Sequence, residues 1–281
     1  MHNHQTSDTE NQESALGAYF YLGLNLTPAT PREAKKAMHI DRDLRRIKMP
    51  EYFESLMNDL HPRLNLLPSD DELIRPRLEV ILTLMLARAI KENCNTADND
   101  SDSDTVSSCS SDLSSAFYTM PCWMTDQKVT IPAITNISSR PTDIIMDLVL
   151  RYGQRPNLDT NLVVMRKRSI RAHEDWGVLA AMSAIHRVRK TAGEYRSIYG
   201  IHTDTYYWNF FHINDEGKYS SVLDLSWTGN QQEIMGRICQ IMRQAFAFCR
   251  VVGGIDSFFE SQDPQSSESG DEESSDDSSF D

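Results

Sequence analysis

Hydrophobic periodicity divides the chain into a helical first third, a polar interval and a strand-rich remainder. Residues 15–93 read as a helical region that packs on the strand-rich core. Thr30-Pro31 opens one basic segment, and Pro50 opens another that closes near His61-Pro62. Ser69 with Glu72 fits a capping box, which satisfies two orphan backbone donors, ahead of a helix through Leu78, Ile81, Leu82, Met85, Ala89 and Ile90. From Ala116 the period changes. Ile144–Leu150 and Asn161–Arg168 are short runs of Val, Ile and Leu, the mark of strands buried on both faces. A turn rich in Gly, Pro, Asn and Asp separates them. A helix follows from about His173, with Val178, Met182, Ile185 and Val188 at helical spacing. Three strands come next, Ser197–Thr203, Tyr206–Ile213 and Tyr219–Trp227, before a closing amphipathic helix through Ile234, Ile238, Ile241, Ala245 and Cys249. This order predicts an α/β (α+β) class with a mixed sheet flanked by helices.

Charge refines the boundaries. The formal net charge of −13 hides a sharp segregation. Residues 95–115 carry five acids and no base, and residues 261–281 carry eight acids and no base. With those set aside, 28 acids meet 28 bases, so the rest of the chain is neutral and its low pI does not argue against a nucleic-acid partner. The domain reading is a disordered leader over 1–14, the helical region over 15–93, an acidic Ser-rich insertion over 95–115, an α/β core over 116–255 and an acidic tail from 256 to 281. No apolar run approaches the about 20 residues that a membrane span needs. The polar start predicts no secretory signal. Five scattered cysteines without a CxxC pair favour reduced thiols, hence an intracellular setting, nuclear or cytoplasmic.

The chemistry concentrates between Asp147 and Trp227. Asp147 interrupts the apolar strand DIIMDLVL, and Lys167 closes the next, LVVMRK. An acid and a lysine on neighbouring strands can converge at one sheet edge. There a carboxylate holds Mg²⁺, the metal acidifies a bound water, and the lysine orients it or stabilises phosphate charge. An edge Asp beside a snorkelling Lys is the plainer account of the same letters. Eight bases against three acids between residues 166 and 196 add a second feature. Arg166, Arg168, Arg171, Arg187, Arg189 and Lys190 are its candidate phosphate contacts. The aromatic run Tyr206–Phe211 reads as core, with base stacking the alternative.

The succession MDLVLRYG, LVVMRKRS, WGVLAAMSAIHRVRK, SIYGIHTDTYYWNFFHI, VLDLSW and QQEIMGRICQIMRQA resembles the PD-(D/E)XK nuclease superfamily, in particular a restriction-endonuclease-like group of fungal proteins, over residues 120–250. The resemblance implies Asp147 as the first metal-binding acid and Lys167 as the motif lysine. It also implies an acid at 165, where this chain has Met165, a poor ligand for Mg²⁺. Thr205 stands where the pattern has glycine. Two acids are candidates to complete such a site. Glu174 opens the following helix, where a favourable charge at a helix N-terminus is the competing explanation. Glu79 is expected to face inward from the capped helix and join Asp147 on the metal. The expectation is therefore a nuclease-like domain, catalytically degenerate, that keeps nucleic-acid binding. The alternatives are an active Mg²⁺-dependent DNase using Glu174, and an interaction module whose acidic tails contact protein partners.

Overall fold

The computed structural model describes residues 26–40, 52–53, 55–57, 71–98, 120–131, 141–167, 175–194 and 196–260. Its centre is a seven-stranded mixed sheet. The strands are β1 (Thr27–Pro28), β2 (Cys122–Ile131), β3 (Thr142–Arg151), β4 (Thr160–Arg166), β5 (Ile198–Thr203), β6 (Tyr207–Ile213) and β7 (Lys218–Ser226). They lie in the order β1-β7-β6-β5-β4-β3-β2. The helices are α1 (Pro31–Ala37), α2 (Asp71–Asp98), α3 (Asp175–Thr191) and α4 (Trp227–Glu260).

Pairing follows from connection length. Strands β2, β3 and β4 form an antiparallel meander. Strand β5 returns parallel to β4, with Met165 opposite His202. A parallel return needs a crossover, and α3 supplies it. Strands β5, β6 and β7 complete the sheet as antiparallel neighbours.

Covering both faces of the central strands dictates their continuous apolar letters. Leu148, Leu150, Leu162, Val164, Ile201 and Phe210 pack toward α2 and α4. Val149, Val163, Phe211 and Ile213 pack toward α3. Helix α3 lies close to the sheet because position 200 is glycine. A Cβ there would sit 2.3 Å from Met182 Sδ and 2.5 Å from Val178 Cγ1.

The turn between β3 and β4 is fixed from within. Asp159, buried, accepts hydrogen bonds from the Arg155 backbone amide (2.9 Å) and from Arg155 Nη2 (2.8 Å). At the sheet margins, β2 and β7 each contain an aspartate in the left-handed region, Asp126 at φ 51° and Asp224 at φ 57°. Such irregularities twist an edge strand away from straight pairing with other chains.

Four boundaries differ from the sequence reading. Strand β2 does not stand out from its surroundings in sequence, because an edge strand with much of its length exposed mixes polar letters such as Thr125, Asp126 and Gln127 into its period. Strand β1 is two residues long, and only its pairing with Lys218 and Tyr219 defines it. Helix α2 continues to Asp98, into the tract expected to be disordered from 95, and α4 continues to Glu260, past the boundary at 256. The leader, the Ser69 cap and residues 261–281 lie outside the described residues. Among the described residues no helix is long and apolar enough to cross a membrane.

Candidate functional site

Strands β3 and β4 bring the two motif residues to neighbouring positions. Asp147 sits on β3, and Lys167 follows the last residue of β4, its amide donating to Thr203 O at 2.8 Å. The acid, however, is taken by a different base. Arg166 donates from its backbone amide to Asp147 Oδ2 (2.8 Å), and from Nε (2.8 Å) and Nη2 (2.7 Å) to Oδ1. The two side chains are 6% and 9% exposed, so the pair is removed from water. Both guanidinium bonds converge on one carboxylate oxygen, and charge-assisted hydrogen bonds of this kind are stronger than neutral ones. Separating the pair would strand two charges in a poorly solvated place.

Met165 is partly buried and packs with the residues under α3. A Cβ on Gly177 would lie 3.4 Å from its terminal methyl, so the thioether packs against the start of α3 at about van der Waals distance. Position 165 therefore contributes apolar packing where the resemblance implies a carboxylate.

The expectation for Glu79 is corrected. Its side chain is 42% exposed and bound to Arg75 Nε at 2.8 Å, while Arg75 Nη2 reaches Asp126 Oδ2 at 3.3 Å. The inward polar residue of α2 is Arg77 instead, 1% exposed. Its guanidinium lies over the rings of Tyr206 (4.6 Å) and Trp227 (5.7 Å). Burial pushes its pKa below the ordinary arginine value, partly opposed by Tyr206 and Asp204. Helical spacing carried the signal, since position 77 falls between the buried Ile74 and Ile81. An arginine letter is read as surface by default, which concealed it.

The basic residues separate into three groups. Arg166 is committed to Asp147. Arg189 is corrected from a phosphate contact to a buried clamp with no exposed surface. It donates through Nε to Leu158 O (2.8 Å), through Nη1 to Ser197 O (3.1 Å) and Arg196 O (3.3 Å), and through Nη2 to Thr160 O. These bonds pin the end of α3 to the β3–β4 turn and to the start of β5. Arg187 and Lys190 are exposed on the outer face of α3. Arg168, Arg171 and Glu174 lie outside the described residues.

The aromatic run is mostly core: Trp208, Phe210 and Phe211 are buried, and Tyr207 is exposed. Trp208 Nε1 donates to Thr205 O at 3.1 Å. Thr205 itself holds φ 73°, a region that suits glycine and strains a β-branched residue.

Magnesium needs oxygen ligands in near-octahedral array, and the candidate donors among the described residues do not assemble one. Asp147 is enclosed by guanidinium donors, position 165 offers sulfur, and Glu79 belongs to a surface ion pair. Among the described residues no group of three or more His, Cys, Asp or Glu side chains is placed to hold a metal ion. Comparison with known proteins finds no match among protein-family models, curated proteins or solved structures.

Proposed function

We propose that this chain is a nuclease-like α/β domain that has exchanged metal-dependent cleavage for binding, and that its ligand is nucleic acid held through phosphate contacts. The observation that carries the reading is the Arg166–Asp147 pair, formed by the residue that the resemblance implies as the first metal-binding acid. A dication approaching Asp147 would have to displace three hydrogen bonds and sit against a guanidinium. Both steps oppose binding, the second by direct repulsion. Lys167, next in sequence, adds a further positive charge to the same edge.

The binding half rests on charge. Outside the two acidic tracts acids and bases balance, and α3 presents Arg187 and Lys190 to solvent. Arg168 and Arg171 extend the same basic stretch in sequence. Phosphate contacts of this type give affinity with little sequence preference and a steep dependence on salt. The reading places the chain inside the cell, in the nucleus or cytoplasm, where Cys122, Cys239 and Cys249 stay free thiols.

The test is a pair of assays on the purified chain. Incubation of DNA with Mg²⁺ or Mn²⁺ is expected to give no cleavage above a Lys167→Ala control. Duplex binding is expected to weaken with rising salt and on Arg187→Glu. Mg²⁺-dependent cleavage that disappears in Glu174→Gln would replace this reading with a nuclease whose second acid has moved to residue 174. Loss of DNA binding altogether would leave the fold as a protein-interaction scaffold.

A further inference from the structure

On the α3 side of the sheet, the last turns of that helix leave an open groove of about 650 Å³ against the end of β2. Its walls are apolar: Pro141, Leu158, Ala184, Val188 and Ala192, with Arg187 among them. Val188, on this lining, is 43% exposed. Lys190 lies beyond Arg187 on the same helix, and neither base forms an ion pair among the described residues. An apolar floor with a basic rim suits a ligand that joins an apolar side chain to carboxylates.

The C-terminal helix reaches this end of the sheet from the opposite face. Cys249 Sγ donates to Tyr152 O at 3.0 Å, and Tyr152 Oη donates to Leu158 O at 2.9 Å. Phe248 packs on the Tyr152 ring at 5.1 Å. One tyrosine thus links α4, at Phe248 and Cys249 ahead of its end at Glu260, to a wall of the groove. After Glu260 come 21 residues, 261–281, which hold eight acids, no base and a single aromatic, Phe280. Extended, they span up to roughly 70 Å, several times the thickness of the domain layers they must round.

We propose that residues 261–281 dock on this groove in the same chain, with Phe280 on the apolar floor and the acids against Arg187 and Lys190. The tail then covers the basic outer face of α3. That covering is inhibitory only if the nucleic-acid reading above holds; the docking itself does not depend on it. Single exposed ion pairs are weak, but tethering raises the effective concentration of the tail to the millimolar range, enough for weak contacts to persist. The other acidic tract, 95–115, holds five acids and only aliphatic apolar side chains, Val106 and Leu113, so the tail with its eight acids and an aromatic ring is the better match.

Zero-length carbodiimide coupling of the full chain at low micromolar concentration tests this, with the products mapped by mass spectrometry. The expected result is a bond between the Lys190 amine and a carboxylate from Glu268 to Asp281, in a monomeric band. Its yield should fall at least fivefold in 0.5 M salt, and likewise in Val188→Asp and in Phe280→Ser. Tail carboxylates joined to Lys128 or Lys218 but not to Lys190 would overturn the proposal, as would coupling confined to a dimeric band. A second arm separates the two ideas. Replacing the eight tail acids by Asn and Gln should raise duplex affinity about tenfold at 0.1 M salt. If the Lys190 coupling forms and neither version binds DNA, the docking stands and the nucleic-acid reading falls.

Discussion

Arg166 and Asp147 meet through three hydrogen bonds across adjacent strands, two from one guanidinium and one from the backbone of the same arginine. The backbone bond matters as much as the charge. It fixes the carboxylate relative to β4 whatever the arginine side chain does, so the acid is positioned as a structural acceptor.

Breaking that pair on one side is expected to be costly. Arg166→Met or Asp147→Leu should each destabilise the fold by about 3–5 kcal/mol, the range for an orphaned buried charge. The double variant should recover part of the loss, since it leaves neither charge alone. Urea unfolding of the four proteins gives the coupling directly. If both singles are neutral, the pair holds nothing together.

Arg189→Met should cost about 3 kcal/mol or more, because the carbonyls of Thr160, Arg196 and Ser197 lose this donor together and that of Leu158 is left with Tyr152 Oη alone. DNA affinity of the folded variant should not change. A loss of affinity with full stability would restore Arg189 to the phosphate-binding set.

Thr205→Gly is expected to stabilise. The residue is strained at φ 73°, and its buried hydroxyl oxygen makes no hydrogen bond among the described residues. Relief of both outweighs the added freedom of the unfolded glycine by about 1 kcal/mol. A lower melting temperature for the variant would contradict this.

Burial without a compensating charge holds His212 down to a pKa of about 4. The unfolded chain returns it to about 6.5, so the unfolded state binds the extra proton first. Stability is then complete above pH 6.5 and declines by up to about 3 kcal/mol as the pH falls to 4. His186, also lowered by burial, acts in the same direction. Denaturant titrations from pH 4 to 8 should show this slope, and His212→Phe should flatten most of it.

The fold was largely legible because two-sided burial writes itself into sequence. Leu162–Val164 and Phe210–Phe211 could only be interior strands, and the spacing of Val178, Met182 and Ile185 gave the crossover helix. What failed to show was context set by neighbours. Strand β2 owes its existence to the register with β3, and β1 to two residues of β7. At the site, the letters located Asp147 on one strand and Lys167 at the end of its neighbour but not which base would take the acid. That choice falls to Arg166, whose own amide also donates to the carboxylate. The sequence did not show that Arg77 and Arg189 are buried, for one shared reason. A buried arginine is accommodated by aromatic faces or backbone carbonyls that come from distant segments, and no local pattern announces them.

The Arg166 Nε–H signal during a Mg²⁺ titration tests the central claim most directly, because that proton bridges to the would-be metal ligand. The expected result is a resonance protected from solvent exchange and unmoved through 10 mM Mg²⁺. A resonance that shifts with added Mg²⁺ and loses its protection would mean that Asp147 leaves the arginine for the metal, and the binding-only account would fail.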